Sequence, residues 1–150
     1  MRKIKFRGKR ADNGEWEYGD LLQICGGCCI YFGSKSETQT PDIPEGSNVF
    51  VELMDSECAV VRPSTICQFT GLTDCNGKEI YEGDIITVNG RYPRVVLWDK
   101  MSWSLMPTKF YQDKYFWVMN LQHPGPDWWE KFAGEFEVIG NIHDNPELIK

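Results

Sequence analysis

Histidine is scarce in this chain, and apolar runs of membrane length are absent. Its two histidines, His123 and His143, lie apart: His123 sits in a Pro-Gly-Pro loop, and no acid–thiol partner is readable near His143 in sequence. There is no HExxH, no serine in a nucleophile elbow and no phosphate-cradling glycine loop before a helix. No reaction class has a candidate, so a non-enzymatic protein is expected, with no cofactor. No stretch approaches the ~18 to 20 apolar residues of a membrane span. The polar, basic start lacks the apolar core of a signal peptide. Together these predict a cytoplasmic protein with no membrane partner. Positive charge is also short: 16 Lys and Arg face 22 Asp and Glu, a net charge of −6. Proteins that wrap nucleic acid normally present a basic surface, because neutralised phosphates release counterions. The acidic balance therefore disfavours nucleic acid as a partner.

What is present begins with six cysteines, Cys25, Cys28, Cys29, Cys58, Cys67 and Cys75. Zinc asks for four thiolate or imidazole ligands, usually as two closely spaced pairs. Cys25-Gly-Gly-Cys28 supplies one pair, and the second is missing. A redox CxxC normally opens a helix, whose N-terminus lowers the thiol pKa, but the flanks here, 21–24 and 30–32, read as strands. Free thiols are the expectation and no metal is assigned, with a zinc or redox protein using Cys25 and Cys28 as a further alternative.

Aromatic residues make up 13% of the chain, including six tryptophans, and 41% of it is hydrophobic, which marks a globular core. Short apolar stretches alternate with glycine and asparagine punctuation. Ile4 and Phe6 alternate with Lys3, Lys5 and Arg7, as in a half-buried strand with a basic, solvated face. Asn13-Gly14, Asn76-Gly77 and Asn89-Gly90 are hairpin turn signals, since Asn-Gly tolerates left-handed backbone angles. Strands are predicted around 15–20, 49–53, 65–69, 84–88, 94–98, 115–119 and 135–139. Between them, 34–47 reads as a polar, mobile loop with Pro41 and Pro44. Asp127 is placed to cap a helical turn in which Trp128 and Phe132 share a face, and Asn145-Pro146 begins a last one. Many short strands with turns between them predict an all-β fold, a barrel or a sandwich.

Three blocks carry a resemblance. They are Arg2 to Gly8 with Gly14 to Gly19, the central Gln68 to Ile86, and Phe136 to Leu148. In order and wording they resemble the YopX family, encoded by bacteriophages and prophages. The resemblance implies an SH3-like barrel in the later part, 62–150, with an additional N-terminal β unit over 1–61 and short helical turns near the C-terminus. It implies no catalytic residues. Cys25 to Cys29 and Trp128-Trp129 lie outside the blocks.

Within the central block, Glu79, Glu82 and Asp84 are near enough in sequence for paired-carboxylate chemistry. Gly83 argues instead for a corner, with Ile80 and Ile85 entering the core. The function expected is a binding or regulatory module acting on a host or phage protein. The alternative is a nucleic-acid-binding protein using Arg2 to Arg10 with Trp16 and Tyr18 as a stacking platform. The interaction surface is assigned to Trp16, Tyr18, Tyr81, Trp98 and Trp103. A free strand edge would also let two copies pair, so the oligomeric state stays open.

Overall fold

A computed structural model describes residues 3–24, 27–33, 57–99, 102–113, 122, 129 and 131–149. The fold is all-β, built from antiparallel sheets and short 3-10 turns. The chain divides into two compact units, Ile4–Ile66 and, counted with its first three residues, Cys67–Lys150. The expected strands at 49–53 and 115–119, the loop at 34–47, Cys25, His123, Asp127 and Trp128 lie outside the described residues.

The first unit is a meander of β1 (Phe6–Lys9), β2 (Trp16–Ile24), β3 (Gly27–Tyr31) and β4 (Cys58–Val60), in the order β4-β3-β2-β1. The β1–β2 turn closes where the Arg10 N–H meets the Glu15 carbonyl at 2.8 Å, and the Asn13 side chain accepts the Glu15 N–H at 2.9 Å. Gly14 takes φ +76° there, the left-handed angle that the Asn-Gly pair signals. The ends of the outer strands are tied together. Arg10 bridges Val61, the Ala11 N–H donates to the Val60 carbonyl and the Arg62 N–H to the Lys9 carbonyl. Ile30, Ala59 and Val61 form the buried centre. On β2 a side chain at Gly19 would sit 1.9 Å from the Tyr31 carbonyl oxygen, so only glycine lets the backbones approach. The alternation expected at the start is inverted: Ile4 is 63% exposed, while Arg7 is 4% exposed and stacks on Trp16. Arg7 pairs with Tyr18 and Lys9 with Trp16, so the basic side chains of β1 lie over aromatic rings of β2. Cross-strand partnership with the rings outweighs the preference of a guanidinium for water.

The second unit contains the hairpin of β5 (Cys67–Thr73) and β6 (Glu79–Tyr81), turned at Gly77 with φ +79°. It also contains a four-stranded sheet, β10-β7-β8-β9, formed by β7 (Asp84–Val88), β8 (Arg91–Asp99), β9 (Ser102–Pro107) and β10 (Phe136–Asn141). Both faces of this sheet are covered. Ile86, Val96, Leu105, Trp129 and Phe136 pack on one, and Ile85, Val95, Leu97, Met106 and Ile149 on the other. That is why β7 and β8 read as near-continuous apolar runs where one-sided strands would alternate. Trp129, the neighbour of the expected Trp128, is 7% exposed and meets Phe136 edge to face at 5.6 Å. The last 3-10 turn, Pro146–Ile149, follows Asn145, whose side chain turns back to accept the Asn141 N–H at 3.2 Å.

Candidate functional site

The two-residue turn between β7 and β8 has left-handed angles at both central positions, Asn89 at φ 51° and Gly90 at φ 67°. This is the mirror-image turn that matches strand twist. Asn89 is anchored further by its side chain, which donates to Glu135 at 2.8 Å. Just beyond, Ile86 pairs with Arg94 and Val88 with Arg91, so Tyr92 and Pro93 together oppose Thr87. That is a β-bulge, and Pro93, with no N–H to offer the ladder, suits one. The bulge forces Tyr92 to φ 55°, a conformation costing a non-glycine residue about 1–2 kcal/mol. Its ring is 71% exposed.

Tyr92 and Pro93 line a groove of about 400 Å³ with Arg94, Pro107, Thr108, Lys109 and Phe110. Pro107 pairs with Arg94 across the β8–β9 ladder, and the 3-10 turn Thr108–Phe110 that follows it supplies the rest of the lining. Phe110 packs its inner side on the core around Val95 and Met106, while the Lys109 ammonium lies 4.7 Å from the centre of the Phe110 ring. Arg94 is half-buried and donates to the Gln122 side chain, and Gln122 in turn pairs with Leu105 through its backbone. Burial holds the Arg94 guanidinium below its ordinary pKa. Among the described residues no carboxylate lies within ion-pair reach of it. Two cations, two aromatic rings and two prolines, with no acidic residue among them, line the groove.

The residues assigned from sequence separate. Trp98 and Trp103 are directly paired across β8 and β9, their rings edge to face at 4.9 Å, with Trp98 43% exposed. They form an aromatic pair on the strands that also carry the groove. Tyr81 is corrected: it is 1% exposed, packed against Phe69 with ring centres 5.4 Å apart and planes tilted by 45°, and its hydroxyl donates to Glu79 at 2.6 Å. An aromatic flanked by Ile80 and Ile85 is drawn into the core with them. Trp16 and Tyr18 share a face of β2, but cations already lie over their rings. Arg7 and Lys9 stand 4.6 and 5.4 Å from the Trp16 centroid, and Lys5 is 5.6 Å from that of Tyr18. A base stacking there would have to displace them.

The carboxylates of the central block hold backbone. Asp84, buried, accepts the Tyr81 N–H at 2.8 Å, and Gly83 between it and Glu82 takes φ +76° at the corner. Asp74 accepts the N–H groups of Asn76, Lys78 and Val138 at 2.8, 2.9 and 3.0 Å. Its burial would raise the carboxyl pKa, yet these donors outweigh it and hold it below the usual range. The Gly83 carbonyl accepts the Ile142 N–H at 2.9 Å. The second and third sequence blocks therefore meet through backbone and side-chain hydrogen bonds, and their specific wording describes a joint.

One contact was not legible in the sequence. Cys67 Sγ lies 3.7 Å from His143 Nε2 across 76 positions, which gives His143 the thiol neighbour that sequence spacing did not show. Both lie at or inside the blocks, Cys67 immediately before Gln68, and that placement was the available signal. Nearby, the Tyr111 hydroxyl is pushed up by burial, then by Glu82 and Cys67. Cys67 is only 2% exposed. The cysteines described are free thiols, and no set of three metal-ligating side chains occurs among the described residues. Among those residues no helix is long and apolar enough to cross a membrane.

Against known proteins, a family model described as "YopX protein" matches residues 5–150. Among solved structures the chain is similar to protein EF1440 from Enterococcus faecalis, at a TM-score of 0.51 and 20% identity, covering 100% of each chain. That likeness concerns the fold. No curated protein matches the chain.

Proposed function

This chain belongs to the YopX family, and from that premise we propose that it is a non-enzymatic binding or regulatory module whose groove takes an extended segment of a protein partner. The partner is a host or phage protein met in the bacterial cytoplasm. The second unit acts as the SH3-like barrel portion, and the first is the additional N-terminal β unit. The observation that carries the reading is Tyr92: a bulky residue held in a left-handed bulge, exposed, at the mouth of an aromatic and proline-walled groove. Strained non-glycine residues persist where something other than stability retains them. Aromatic walls suit an extended peptide, whose side chains can seat between the rings. Trp98 extends the aromatic surface along the same strands, with Trp103 beside it packed on the core.

The test is capture from bacterial lysate with the tagged full chain, with and without nuclease, comparing wild type, Tyr92→Ala and Trp98→Ala. A protein retained after nuclease by wild type and lost by Tyr92→Ala supports the reading. Capture unchanged by Tyr92→Ala refutes the groove as the docking place. Recovery abolished by nuclease would instead favour nucleic acid.

A further inference from the structure

Burying a cation is costly unless an anion or, as for Arg7, an aromatic ring compensates it. Most charged side chains described here are at the surface or paired, as Arg10 is with Asp12 at 2.8 Å. Arg94 differs. Its guanidinium is half-buried in the groove wall and donates to the neutral amide of Gln122, and none of the groove's lining residues is acidic. Lys109 adds a second cation to the lining. This happens in a chain with six more acidic than basic residues, so a basic, acid-free groove runs against the average of its own surface.

We propose that the groove selects acidic peptide segments, with a partner carboxylate received by Arg94, a second by Lys109, and an aromatic or proline side chain set between Tyr92 and Phe110. This rests on the groove being the docking place and adds the chemical class of what docks. The guanidinium presents a planar fork of donors that a carboxylate matches in two-point fashion. Its partial burial weakens screening by salt and strengthens the pairing. Gln122 holds the side chain in place before the ligand arrives, which reduces the ordering lost on binding. A groove of about 400 Å³ accommodates a few residues, so specificity would come from one or two acids beside one apolar anchor.

The experiment uses a displayed random peptide library panned on the full-length chain, on Tyr92→Ala and on Arg94→Gln. Wild type should enrich peptides rich in Asp and Glu, and Tyr92→Ala should not. The leading peptide, synthesised with a fluorescent label, should bind Arg94→Gln about 10- to 100-fold more weakly than wild type, as expected for losing a charged hydrogen bond. Arg94→Lys should recover part of that loss. Lys109→Gln, at an exposed position, should weaken binding in the same direction and serves if Arg94→Gln does not fold by far-UV circular dichroism. Enrichment of neutral peptides that depend on Tyr92 but not on Arg94 overturns the acidic class and leaves the groove standing. Enrichment indifferent to Tyr92→Ala overturns the groove and the acidic class with it. A labelled single-stranded oligonucleotide binding more tightly than any peptide, through Arg94, overturns the peptide reading in favour of nucleic acid.

Discussion

Strain at Tyr92 can be measured by a pair of substitutions whose order of stability should be the reverse of the ordinary one. In the middle of a strand, glycine is about 0.5–1 kcal/mol less stable than alanine, because it loses more backbone freedom on folding. At Tyr92, φ is 55°, where any residue with a Cβ carries about 1–2 kcal/mol of strain. Comparing Tyr92→Gly with Tyr92→Ala removes the ring in both, so the little packing that a 71% exposed side chain contributes cancels. The difference left is strain relief minus the entropic term, and from the middle of the two ranges glycine should be the more stable by about 0.75 kcal/mol. Urea unfolding of the two variants, at a common slope, reads this as a later midpoint for Tyr92→Gly. A midpoint for Tyr92→Ala equal to or later than that of Tyr92→Gly would refute the strained bulge and, with it, the argument that Tyr92 is retained for binding. Both variants should lose the partner alike, because both lack the ring.

Other outcomes follow from the joint and the sheet faces. Asp74→Ala should cost about 3 kcal/mol, since three backbone donors lose an ionised acceptor; a loss under about 1 kcal/mol in urea would show the joint is held elsewhere. Asp74 is depressed in the folded state, so its stabilisation is complete above its unfolded pKa, near about 4, and is lost as pH falls through the folded value. Asp74→Asn should accordingly flatten the acid limb of a stability-against-pH curve, and an unchanged limb would contradict this. Gly19→Ala brings a methyl into the Tyr31 carbonyl, a backbone group that cannot step aside, and should destabilise by at least about 3 kcal/mol in thermal unfolding; tolerance would mean that β2 and β3 are not so close. Replacing Trp98 and Trp103 singly and together should show a coupling of about 0.5–1.5 kcal/mol from the edge-to-face pair, and strict additivity would show that the rings do not interact.

Local chemistry made several features legible. The Asn-Gly pairs at 13–14, 76–77 and 89–90 each occur at a turn, because left-handed backbone angles are a property of a few residue types whatever surrounds them. Gly83 forms a corner and Ile80 and Ile85 enter the core for equally local reasons. Burial was less legible. Arg7 lies inside and Ile4 outside because the rings of β2 lie beside β1, a fact about register between strands. Tyr81 is assigned to a surface on the strength of being aromatic, although Ile80 beside it enters the core and Tyr81 follows it inside. The groove was missed for a similar reason: Tyr92, Arg94, Lys109 and Phe110 form no motif, and their meeting depends on a bulge opposite Thr87 and on the pairing of Arg94 with Pro107.

The sequence alone therefore determined the strand-and-turn alphabet, the all-β class and the family, because hairpin angles, alternation and motif wording act over a few residues. The tertiary structure alone decided which aromatics face solvent, which cations lie over rings, that Cys67 meets His143, and where a basic groove opens in an acidic protein. Those are outcomes of strand register and sheet packing, interactions between residues tens of positions apart, which no short window of sequence contains.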